Sequence, residues 1–195
     1  MRHHLIGGWV AASLLALPGL AAADTARAVM VSTVEDGSIS VAGEVALSDT
    51  PQGLLVEAHL IGVPPGVHGF HIHQFGSCND LGMGAGAHFN PNNAPHGDVI
   101  KQGVSSVHPG DLGNITAGGD GVADYRAYIE GLTLTQGPFA VAGRGIILHS
   151  GPDDFGQPAG NAGGRIACGT IVLIGSYQAS NAKPENAPES APEAP

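Results

Sequence analysis

Short runs of apolar and β-branched residues, broken every five to ten positions by Gly, Pro, Asp or Asn, dominate the chain from Arg27 onward. Runs of this kind read as strands: Arg27 to Val34, Ile39 to Leu47, Leu54 to Ile61, Gly69 to His73, Tyr125 to Ile129, Gly145 to His149 and Ile166 to Ile174. Asp36-Gly37 and Asp120-Gly121 supply turn signals between them, because a left-handed turn position favours glycine. No segment carries the 3.6-residue period of a long amphipathic helix. The pattern therefore predicts an all-β antiparallel sandwich or barrel. Two interruptions, roughly Gln74 to Asp111 and Ser150 to Arg165, are too long for hairpins, and long loops on a rigid sheet are where function concentrates.

The ends of the chain have a different composition. Met1-Arg2-His3-His4, the apolar stretch Leu5 to Leu20 and Ala21-Ala22-Ala23 read as a secretory signal peptide over residues 1–23, with the mature chain starting at Asp24. The apolar run is too short and too broken by glycine and Pro18 to read as a membrane anchor. The domain is expected over 24–175, followed by a disordered Pro/Ala/Glu-rich tail over 176–195 that cannot build a core. Loss of residues 1–23 removes Arg2 and moves the net charge from −10 to −11. An acidic chain with no Lys/Arg cluster is a poor partner for nucleic acid. The reading is of an exported protein, periplasmic, with no membrane association once the leader is cleaved. In an oxidising compartment its two cysteines, Cys78 and Cys168, are expected to pair. Closing so long a loop contributes about 4 kcal/mol in the chain-entropy picture.

Histidine is where the chemistry lies. Six of the ten fall between His68 and Asp111. In Phe70-His71-Ile72-His73, a strand puts His71 and His73 on one face and Phe70 and Ile72 on the other. Further ligands are available from His88, His96, His108 and Asp111 in the long loop and from His149 at a later strand end. Imidazoles suit zinc and copper, and a carboxylate among them fits zinc.

Five segments carry a resemblance: Gly66-Val67-His68-Gly69-Phe70-His71-Ile72-His73, Gly86-Ala87-His88-Phe89-Asn90-Pro91, His108-Pro109-Gly110-Asp111-Leu112-Gly113-Asn114, Asp120-Gly121-Val122-Ala123-Asp124 and Gly160-Asn161-Ala162-Gly163-Gly164-Arg165-Ile166-Ala167-Cys168-Gly169. In this order they closely resemble the copper,zinc superoxide dismutase family over nearly all of Val29 to Leu173. The resemblance implies that family's eight-stranded Greek-key antiparallel β-barrel, an immunoglobulin-like sandwich with two functional loops, one copper and one zinc per subunit, and superoxide as substrate. It makes His71, His73, His88 and His149 the copper ligands, His88, His96, His108 and Asp111 the zinc ligands, and His88 the bridge. Arg165 is implied beside the copper, attracting the anion, with His88 taking and giving a proton. Asp153 matches the carboxylate that joins His71 to His96, while Asp154 is left to solvent. His68 and Arg144 match structural positions, and His59 is assigned no function.

Two features depart from the better-known members. Cys78 lies only five positions after His73, which resembles the bacterial, exported branch. The His149 to Arg165 loop lacks an acidic pair and a lysine used elsewhere to guide substrate, with Gln157, Pro158 and Ala159 near that stretch; Lys101 is a candidate helper. Dimer contacts differ between branches, so a homodimer stays open. A metal buffer on the same fold is disfavoured by the full ligand set and Arg165. A zinc hydrolase is disfavoured because no HExxH is present and the zinc set is already complete.

Overall fold

The computed structural model describes residues 23–176; the expected leader and tail therefore lie almost wholly outside the described residues. Nine strands form: β1 (Asp24–Ser32), β2 (Ala42–Thr50), β3 (Gly53–Ile61), β4 (Gly66–His73), β5 (Asp111–Ala117), β6 (Ala123–Ile129), β7 (Gly145–His149), β8 (Arg165–Thr170) and β9 (Val172–Ser176). The only α-helix among the described residues, α1, spans Val99–Gln102. It starts where the Asp98 carboxylate accepts from the Ile100 and Lys101 amides, the usual way such orphan donors are satisfied.

All pairings between the strands are antiparallel, in the order β2-β3-β6-β5-β4-β7-β8-β1-β9, and β1 also pairs with β2. That last pairing closes the ring. β8 and β9 are two halves of one expected strand, broken at Ile171, and both pair with β1. The barrel is therefore eight-stranded in effect. The β3–β4 and β6–β7 connections each join strands that are not neighbours, which makes the topology a Greek key.

The alternation seen in the sequence becomes the core. In β3, Leu54, Val56, Ala58 and Leu60 point inward, and in β1 Ala26, Ala28 and Met30 do so. Phe70 and Ile72 are fully buried among them, as their alternation with histidine requires. Each such large side chain contributes about 1.5–3 kcal/mol by leaving water. β4 breaks the alternation, being buried on both faces from His68 to His73. Its outer face is covered by the two long loops, and that is where the histidines are.

One expectation needs correcting. Asp111 to Ala117 is a full strand, β5, and not merely the end of a loop. Its Asp, Gly and Asn hide the strand pattern, and Gly113 at φ 84 takes a conformation foreign to an ordinary strand.

Candidate metal centre

Strand register sets one side of the site. His71 and His73 lie on β4, and His149 ends β7, the neighbour of β4. His88 is brought in by main-chain pairing: His73 and His88 form an isolated antiparallel bridge, flanked by Gln74 N donating to Ala87 O and Phe89 N to Ile72 O. The other side comes from the loop, with His96 and His108, and from Asp111 at the start of β5.

Two groups result. In one, ligand atoms of His71, His73, His88 and His149 lie within 4.8 Å of one another; in the other, those of His88, His96, His108 and Asp111 do. His88 belongs to both. The remaining ring nitrogens are spoken for, which sets each ring's orientation. His71 Nε2 donates to Asp153 Oδ2 at 2.8 Å, His73 Nδ1 to Gly86 O at 2.9 Å, and His149 Nδ1 to Gly163 O at 3.3 Å. His96 Nε2 donates to Asp153 Oδ1 at 2.9 Å. His88 Nδ1 lies 2.7 Å from Asp111 Oδ1, so its Nε2 is left for the four-histidine group.

The burial is deep and the charges are opposed. Burial, the largest cause in each case, pushes His73 down to about 2 and His149 to about 3, and takes His71 to about 4 against the opposing pull of its Asp153 partner. These three rings are neutral at pH 7, with a lone pair each. His96 behaves oppositely: burial would lower it, but Asp111 and Asp153 outweigh that and raise it to about 9. Burial likewise would raise Asp111 and Asp153, yet their imidazole partners hold both well below the usual carboxylate range.

Two buried nitrogens, His71 Nδ1 and His96 Nδ1, have no hydrogen-bond partner. His96 Nδ1 lies 2.7 Å from Asp111 Oδ2, but the two are not aligned as donor and acceptor. An unpartnered buried polar atom costs about 1–3 kcal/mol; a cation taking the His71 Nδ1 lone pair, or displacing the proton from His96 Nδ1, removes that cost. Four imidazole nitrogens suit copper, and three with a carboxylate suit zinc. The residues fit both ions.

A cavity of about 630 Å³ opens onto the four-histidine group, lined by His73, His88, His149, Met83, Pro158, Ala159 and Arg165 among others. Arg165 stands opposite His149 in the β7–β8 register. Its guanidinium donates to the Gly82 and Gly86 carbonyls, so the loop holds it at the cavity wall. That loop is in turn tied to β8 by the disulfide between Cys78 and Cys168, 90 positions apart. Lys101 does not line the cavity; it pairs with Asp98 and sits over the Phe155 ring.

Of the remaining sequence candidates, His68 hydrogen-bonds loop and strand carbonyls, Pro64 O and His149 O. Arg144 donates to Ala140 O and Gln74 O and stacks on Phe89. His59 is exposed and paired with Asp124. Asp154 is exposed but not idle: its carboxylate accepts from Gly156 N and from the Asn161 carboxamide.

Sequence reasoning missed three supports. Asn114 clamps Asp153, accepting from its N–H and donating to its C=O. Gln157 does the same to His96. Gly160 packs against the Asp153 carboxylate and the His96 ring so closely that a Cβ has no room.

The profile of the family described as copper/zinc superoxide dismutase (SODC) matches residues 41–171. An extracellular superoxide dismutase [Cu-Zn] of Brugia pahangi is 36% identical over 159 residues, covering 76% of this chain and 77% of that protein. Among solved structures, the clock protein EA4 superposes with a TM-score of 0.68 at 30% identity, over 82% of this chain and 100% of that one. A profile match over well over half the chain, joined to a relative this similar along most of its length, goes beyond likeness of fold: the chain belongs to the copper/zinc superoxide dismutase family.

Proposed function

We propose that His71, His73, His88 and His149 hold the copper and His88, His96, His108 and Asp111 the zinc of this superoxide dismutase. The family's reaction joins two superoxide radicals and two protons to give dioxygen and hydrogen peroxide. Bound copper supplies the one-electron couple between the two superoxides, and bound zinc a fixed positive charge. The protein's own groups do the rest. The Arg165 guanidinium, half-buried in the cavity wall, attracts and orients the anion. His88, anchored on its Nδ1 side by Asp111, holds a proton at Nε2 between the two half-reactions and gives it to the departing peroxide. Asp153 joins His71 to His96 and keeps both rings in the tautomer that leaves Nδ1 free.

The observation that carries the assignment is that one imidazole, His88, is shared by both ligand groups. The test is metal analysis with an electronic spectrum, followed by superoxide consumption of the loaded protein. One copper and one zinc per chain with rapid turnover support the reading. Metal uptake without turnover points instead to a metal store and overturns it.

The protein is further proposed to work outside the cytoplasm, in the periplasm of a bacterial-type cell. Residues 1–23 read as a leader, the only two cysteines are joined, and the Brugia relative carries the description extracellular. Among the described residues no helix is long and apolar enough to cross a membrane.

A further inference from the structure

We propose that Gln157 is a positioning residue that docks the 150–164 loop on the main chain of His96, so that zinc occupancy sets the rim of the substrate cavity. The inference rests on reading His96 as a zinc ligand. The Gln157 carboxamide accepts from His96 N at 3.0 Å and donates to His96 O at 2.9 Å. One side chain thus satisfies both peptide groups of a residue 61 positions away, as a neighbouring strand would. The same loop holds His96 in two further ways: Asp153 grips the ring edge, and Phe155 stacks on its face at 6.4 Å between centroids and 22° between planes. Gly160 closes the turn with no space left beside Asp153 and His96.

The two residues directly after Gln157, Pro158 and Ala159, line the cavity with His149 and Arg165. Both are neutral, so their influence on an incoming anion is through shape and exclusion of water. Position 157 therefore couples two things through one carboxamide: where His96 stands, and where the rim stands. Phe155 and Asp153 hold the ring of His96, but Gln157 alone in the loop grips its backbone and continues directly into the rim.

The experiment uses the full chain loaded with copper and zinc. Gln157→Met keeps length and bulk but removes both hydrogen bonds; Gln157→Glu keeps an acceptor for His96 N and loses the donor. Zinc release to a chelator is expected to accelerate about tenfold in Gln157→Met and less in Gln157→Glu. The visible spectrum of cobalt placed in the zinc site should shift in the same order. The thermal midpoint of the metal-free protein should stay within about 2 °C, since a general fold contributor would move it. Zinc release within twofold of the parent with an unchanged cobalt spectrum overturns the proposal, as does a fall in the metal-free midpoint that tracks the zinc effect. If the parent itself retains no zinc, the reading of the site fails and this proposal falls with it, an outcome distinct from a parent that binds zinc and a variant that binds it equally well.

Discussion

The two halves of the metal centre are built by different means. On the proposed copper side, His71, His73 and His149 sit on paired strands, their spacing set by a sheet register. On the proposed zinc side, His96 and His108 are carried by loop: His96 is placed by carboxylate and carboxamide contacts from Asp153 and Gln157, 57 and 61 positions away, and His108 by Asp111 three positions on. The electrostatics divide in the same way. The strand-borne imidazoles are neutral because burial strips them of protons, whereas His96 holds a proton because two carboxylates face it. The strand side is ready to bind a cation before any arrives. The loop side holds His96 protonated between two carboxylates, so zinc uptake there is expected to release that proton.

The sharpest way to break this contrast is to remove the group that both halves share. His88→Ala should abolish superoxide turnover and loosen zinc together, read by stopped-flow consumption and metal analysis. Loss of one metal alone would mean the halves do not share this ring. Asp153→Asn removes the carboxylate that spans them. It should weaken zinc about 10-fold to 100-fold in chelator competition and also perturb the copper spectrum, because His71 and His96 lose the same acceptor.

The contrast is also legible in pH. His71, His73 and His149 have folded values far below an unfolded histidine near 6.5, so on acidification the unfolded chain binds protons that the native one refuses. Stability of the metal-free protein should fall as pH drops below 6.5, with a slope approaching three protons, or about 4 kcal/mol per pH unit at its steepest. His96 runs the other way. Its raised value stabilises the fold below 6.5, and that gain is lost as pH climbs through about 9. Denaturant titrations at a series of pH values should thus show a maximum near 6.5, and zinc should erase the alkaline limb. A plateau down to pH 4 would show that the strand-borne rings are not held neutral.

The smallest expected effect concerns approach of the substrate. Against a net charge of −10, the pull of Arg165 is local. The rate should fall as ionic strength rises, less steeply than in relatives with more basic rims. Arg165→Ala should lower kcat/KM about tenfold and flatten that dependence. A rate that rises with salt would show that global repulsion prevails.

The same division governs what the sequence alone reveals. The strand-borne ligands announce themselves, because alternation in Phe70-His71-Ile72-His73 is a local signal; short punctuated runs reach only as far as an antiparallel sandwich or barrel, and the closed eight-stranded form comes with the family resemblance. β5 escapes because its Asp111, Gly113 and Asn114 serve the site instead of the pattern. Asn114 and Gln157 escape for another reason: their carboxamides act on backbone 39 and 61 residues away, and no window of sequence contains both partners. The break at Ile171 between β8 and β9 is likewise invisible in an unbroken β-branched run.

The ring closes through β1, which meets β2 on one side and both β8 and β9 on the other. In synthesis from the amino end, the first strand made must wait for the last. Until residues 165–176 emerge, β1 keeps an unpaired edge, Arg165 is absent from the cavity wall and Cys78 has no partner. Barrel closure, Arg165 at the cavity wall and the covalent tie thus arrive together in one late piece of chain. A polypeptide cut short before that piece carries all seven proposed ligand residues yet has neither a sealed wall nor Arg165 beside its cavity. Such contacts between distant ends make folding slow and expose an adhesive strand edge meanwhile.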